Sequence, residues 1–97
     1  MAFSGGSYDD VARWLENFLK SHAKRENFRA EVLIDSGDER EGKSYGATLK
    51  LDGRDVPAGE FDFTTVAEHK GELAWCTEQA ERIRAVVRDT SRSGVRR

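Results

Sequence analysis

The stretch FRAEVLIDSGDEREGKSYGATLKLDGRDVPAGEFDF, residues 28–63, decides the fold. Hydrophobicity alternates along it with a period of two, the spacing of side chains on a half-buried strand. Phe28, Ala30, Val32 and Ile34 take one side, and Arg29, Glu31, Leu33 and Asp35 the other. The polar SGDEREG, residues 36–42, leads to a second alternation in which Tyr45, Ala47, Leu49 and Leu51 share a face. Asp52-Gly53 supplies the positive φ of a tight hairpin. A third strand follows, with Val56, Phe61 and Phe63 expected inward. Val56 and Phe61 have opposite parity, so one residue must be absorbed between them, and Pro57-Ala58-Gly59 is the place for a bulge. The proline also marks an edge strand, where a missing N–H removes no ladder bond.

Helical periods flank this meander. Val11, Trp14, Leu15, Phe18, Leu19 and His22 recur at three- and four-residue spacing, behind a Ser7-x-x-Asp10 start, so a helix is expected over 8–25. Lys20, Lys24 and Arg25 suit its C-terminus. Ala12 and Trp14 widen the apolar arc, which implies two neighbours. On the far side Val66, His69, Leu73, Cys76, Ala80, Ile83 and Val87 form one stripe. Thr65-x-x-Glu68 would open a helix over 65–90; alternatively the third strand runs to Ala67 and the helix starts near Glu72, because Gly71 weakens a helix interior. The expected fold is α+β: a single α-β-β-β-α domain over 8–90, with a three-stranded antiparallel sheet and two helices packed on one face. Residues 1–7 read as a flexible lead and 91–97 as a disordered basic tail. A helix of that length, about 37 Å, outruns strands of about 27 Å, so its arginine-rich end should project into solvent.

The chain has 97 residues, enough for one core. Its formal charge is −2, unevenly spread: residues 82–97 hold six arginines and one aspartate, a net +5 that leaves −7 elsewhere. No apolar run approaches a membrane span, the start lacks the pattern of a secretory signal, and Cys76 is a lone cysteine. Together these favour a reducing compartment, and a cytoplasmic location is expected.

Little in the chain points to chemistry. Cys76 and His69 share a stripe, but seven residues of helix separate them by about 10.5 Å of rise, too far for proton transfer. Cys76 reads as a small buried hydrophobe, and His22 as a helix-end histidine bonded to a carbonyl. The loop acids Asp38, Glu39 and Glu41 lack the calcium-loop alternation, and Arg40 among them would oppose a cation. They read as a solvated hairpin loop, or else as an acidic docking loop for a basic partner. No phosphate-binding glycine loop and no nucleophile elbow is present. No metal and no cofactor is expected, and nothing argues for an enzyme.

Trp75 stands apart from the centre of the stripe, with Gln79, Arg82 and Val86 on its side. That flank either packs near Trp14 and Phe18 or presents an aromatic anchor to a partner, and tryptophan and arginine dominate binding hot spots. The alternative partner is nucleic acid, through Arg84, Arg88, Arg92, Arg96 and Arg97. In that region Glu78–Arg82 and Glu81–Arg84 have the spacing of helical ion pairs, leaving the last three arginines unpaired. The element order is similar to that of the double-stranded RNA-binding domain, over about residues 8–90. The resemblance implies an RNA-docking lysine cluster at the start of the second helix. Here Thr64-Thr65-Val66-Ala67-Glu68-His69-Lys70 holds one lysine and one glutamate, so the likeness is one of topology. The sequence therefore points to a non-catalytic interaction or regulatory module that meets a protein or a second copy of itself, with weak, salt-sensitive nucleic-acid binding as the alternative.

Overall fold

The hydroxyl of Ser7 accepts the Asp10 N–H at 3.2 Å and starts helix α1, Tyr8–Glu26. The computed structural model describes residues 7–95. Val11, Leu15, Leu19 and Ala23 fall on one line of α1 and are buried against the sheet. At its foot Asn27 turns the chain: its Oδ1 accepts the Arg29 N–H at 3.0 Å and its carbonyl accepts the Ala30 N–H at 2.9 Å. This side-chain-closed turn carries Phe28 outward. Phe28 is 78% exposed, so the expectation of an inward Phe28 is corrected. Strand β1 is the shorter Glu31–Asp35.

Strands β2, Ser44–Leu51, and β3, Arg54–Asp62, complete an antiparallel sheet of order β1-β2-β3. Asp52 and Gly53, at φ 53° and 79°, make the hairpin turn. Thr48 pairs with Pro57 and Ala47 with Gly59, so Ala58 is the extra residue of the bulge, where the parity change required one. Tyr45, Ala47, Leu49 and Leu51 all point into the core. Two phenols tie β2 to α1: the Tyr8 hydroxyl donates to the Ser44 carbonyl, and the Tyr45 hydroxyl donates to the Tyr8 carbonyl at 2.8 Å. Their rings stack at 4.6 Å. On the outer edge of β1, the Ile34 N–H donates to the Glu16 carboxylate at 3.2 Å, which satisfies an edge donor.

The second helical region is two helices where one was expected. The Asp62 carboxylate accepts the Thr65 N–H at 3.1 Å and caps α2, Phe63–His69. Phe63 therefore opens a helix and does not end a strand. The chain breaks at Lys70–Glu72 and resumes as α3, Leu73–Val95. The Cys76 thiol donates to the Lys70 carbonyl at 3.3 Å, closing the end of α2. α3 also runs beyond the expected end near residue 90. Thr90 is buried, and the Asn27 side-chain amide donates to the Ser91 hydroxyl at 3.0 Å, so this part of the supposed tail packs on the foot of α1. Residues 1–6 of the lead and residues 96–97 lie outside the described residues.

Trp14 meets Trp75 near one end and Asn27 meets Ser91 at the other, so α1 and α3 run side by side in the same direction. Both cover one face of the sheet, making an α+β domain two layers thick, as the sequence implied. Among the described residues no helix is long and apolar enough to cross a membrane.

Candidate functional site

Because α3 follows α1, it leaves the inner face of β3 only partly covered: Val56, Ala58 and Phe61 are half-buried. A groove of about 280 Å³ lies between them. Leu19, Val66 and Ile83, all buried, form its floor. One wall is the second half of β3, from Ala58 to Asp62; the other is Trp75, Gln79 and Arg82 of α3, one helical turn apart. Three of the four residues singled out on the α3 flank thus border one concavity. The fourth, Val86, packs half-buried against the core.

Trp75 is half-buried and does two things at once. Its ring lies 6.4 Å from Trp14 and 6.3 Å from His69, within a row that continues from Trp14 to Phe18 at 5.0 Å. It also borders the groove. Gln79 is 7% exposed and its side chain makes no hydrogen bond among the described residues. No sealed side-chain polar atom there lacks a partner, so the Gln79 amide opens onto the groove. Arg82 is exposed and, unlike Arg84 and Arg88, pairs with no carboxylate among the described residues; the helical pair expected with Glu78 is not formed.

Glu60 and Asp62, the acids of this stretch of β3, make bonds of their own. Glu60 receives Arg40 through two hydrogen bonds, at 2.6 and 3.0 Å, and Arg40 also reaches Asp35 at 3.1 Å. These bonds hold the Glu60 carboxyl below its ordinary range and raise Arg40. The guanidinium crosses the open face of the sheet over Gly46, where a Cβ would come within 2.8 Å of it. Arg40 therefore ties the acidic loop to both outer strands. Glu39 and Glu41 are exposed, and the side chain of Asp38 lies outside the described residues. Among the described residues no group of three or more possible ligands could hold a metal ion.

The nucleophile reading finds no geometry. His69 Nδ1 faces the Glu72 carboxylate at 2.8 Å, while Cys76 holds the Lys70 carbonyl. Burial, then Glu72, pushes the thiol pKa up, away from a reactive thiolate. His22 packs on Phe18, with ring centroids 4.7 Å apart, and makes no carbonyl hydrogen bond among the described residues, contrary to expectation. Burial, then Arg25 and Arg84, lowers its pKa.

At the basic end, Arg84 and Arg88 both reach Glu26 at 3.2 Å, and Arg92 reaches Asp89 at 2.7 Å. Arg84 thus pairs across to α1 and not with Glu81, and Arg92 is not unpaired. Arg96 and Arg97 lie outside the described residues. At the position of the RNA-docking lysine cluster, Lys70 sits 5.9 Å from the Trp14 ring. No family model matches the chain, and neither a curated protein nor a solved structure shows significant similarity to it.

Proposed function

We propose that this domain is a non-catalytic protein–protein interaction module that docks a partner segment in the groove between β3 and α3. The observation that carries the reading is the Gln79 amide, nearly buried and without a protein partner, opening between Trp75 and Arg82. An amide open to the groove bonds solvent in the free chain and can exchange those bonds for a partner's peptide group on docking. Trp75 and Arg82 are the residue types that anchor interfaces. The nucleic-acid alternative draws less support, since Glu26 and Asp89 occupy Arg84, Arg88 and Arg92. A cytoplasmic setting belongs to the same proposal and rests on a single thiol held on a carbonyl.

Random-peptide display against the full chain tests the reading, with Thr65→Trp as the control. Thr65 is exposed on the groove wall, so an indole there fills the concavity while the backbone cap remains. Selected peptides should bind the variant about tenfold more weakly, a difference of about 1.4 kcal/mol. No enrichment, or equal binding to both proteins, overturns the proposal.

A further inference from the structure

We infer that α3 can be exchanged between two copies of this chain: the break at Lys70–Glu72 closes into helix, α2 and α3 become one, and each α3 packs on the core of the other copy. The inference stands apart from the docking reading above, although the α3 wall of the groove would then come from the second copy.

The sequence runs through the break as if it were absent. Val66, Leu73 and Ala80 are seven residues apart, so on a continuous helix each falls within about 20° of the last. In the broken helix Val66 and Ala80 are buried while Leu73, midway between them, is exposed. The backbone at the break is close to helical already. Lys70 lies in the right-handed helical region, at φ −62° and ψ −18°, and none of residues 70–72 has a positive φ.

Both helix ends at the break keep backbone groups unused. α3 starts without a side-chain cap, and among the described residues nothing accepts the N–H groups of Leu73, Ala74 and Trp75. At the end of α2 the carbonyls of Ala67 and Glu68 receive no N–H among the described residues. A continuous helix joins the two sets, with the N–H groups of Gly71 to Trp75 donating to the carbonyls of residues 67–71. It gives up two bonds made at the break, from the Glu72 N–H to the His69 carbonyl at 2.8 Å and from the Cys76 thiol to the Lys70 carbonyl at 3.3 Å. Gly71 weakens the joined helix, which favours the closed monomer when the chain is dilute.

One chain alone cannot use that helix. α2 buries Val66, and α3 buries Ile83 and Val87, in the same core, so a straight run from Phe63 to Val95 carries α3 away from it. A second copy removes the conflict. The Trp14–Trp75 stack, the bonds of Arg84 and Arg88 to Glu26, and the Asn27–Ser91 bond are then made between copies in unchanged geometry. Exchange of an identical element reuses contacts the monomer already has, and is therefore an accessible route to a dimer.

Leu73→Pro separates the two states. Proline suits the first position of a helix, and here it follows the non-helical Glu72 and replaces an exposed side chain whose N–H has no partner, so the monomer keeps its fold. Inside a continuous helix the same proline removes the bond to the His69 carbonyl. The full chain, refolded from urea at millimolar concentration, should give a dimer in sedimentation. In that dimer the Leu73 and Ala74 amides should exchange with deuterium about tenfold more slowly than in the monomer. Leu73→Pro should dimerise roughly a hundredfold more weakly. A wild type that refolds only as monomer overturns the inference. So does a Leu73→Pro dimer as stable as the wild type's, or a wild-type dimer whose Leu73 and Ala74 amides exchange as fast as the monomer's, because the copies then meet through another surface. The exchange measurement needs only the wild type and decides the matter even if the proline variant does not fold. Each of these failures leaves docking in the groove standing, since display probes the dilute monomer.

Discussion

Arg40 does at residue scale what no alternation of hydrophobics reveals. It spans the open face and binds one carboxylate from β1 and one from β3. A side chain at position 46 displaces it, since a Cβ there meets Nη2 at 2.8 Å, but the displaced group is the end of a flexible side chain and the fold should survive. In Gly46→Val the Glu60 pKa should rise back toward its ordinary 4.5. The sign follows from linkage: Glu60 titrates lower when folded, so its contribution is present above about pH 4.5 and is lost as pH falls through the folded pKa. Urea denaturation of the wild type should therefore weaken more steeply below that pH than in Gly46→Val; parallel slopes would show that the fork does not stabilise Glu60. His22 has a different linkage. Its folded pKa lies below 6.5, so folding favours the neutral ring, and stability is full above pH 6.5 and declines as pH falls from there toward the folded pKa. His22→Phe, which keeps a ring beside Phe18, should flatten that decline, and an unchanged pH profile would contradict it. The Arg40 fork could not be read from sequence, because Glu60 is twenty residues away, whereas Phe18 lies one helical turn from His22 and only Arg84 reaches it from a distant element.

At the scale of elements, the α2–α3 break shows where periodicity stops being informative. The apolar stripe from Val66 to Val87 is continuous in sequence, yet two helices share it: its two ends face the same core, while Leu73 in its middle is 81% exposed. Gly71 was the one local sign. Two caps also competed: Asp62 closes the helix start three residues before Thr65 could. Gly71 has a negative φ and no neighbour within 4 Å of an added Cβ. Gly71→Ala should thus stabilise by about 0.4–1 kcal/mol through a less flexible unfolded chain, seen as a higher midpoint in thermal denaturation. A lower midpoint would mean the break needs the glycine. Ser7→Ala removes the α1 cap and should cost about 1 kcal/mol in the same measurement. By contrast the strands were legible over most of their length: hairpin turn, bulge and most of the inward set follow from local chemistry, while Phe28 is lost to the turn that Asn27 closes and Phe63 to the helix that Asp62 caps.

At the scale of the molecule, one core of Val11, Leu15, Leu19, Val32, Tyr45, Leu49, Val66, Ile83 and Val87 holds both layers together. Leu49→Ala should cost about 2–5 kcal/mol, a large share of the 5–15 kcal/mol of a typical domain, and should move the urea midpoint far more than any surface change above. The groove belongs to this scale alone. It exists because α3 keeps to α1 and departs from β3, an angle no one-dimensional pattern encodes, although Trp75, Gln79 and Arg82 could be grouped from their helical spacing. The most direct test of a docking groove is a two-dimensional amide spectrum of the full chain titrated with a display-selected peptide. The Trp75 indole, the Gln79 side-chain amide and the backbone amides of Gly59 and Glu60 should move together. Shifts that spare these four and gather instead around Arg84 and Arg88, or around Leu33 and Thr48 on the open face, would contradict it.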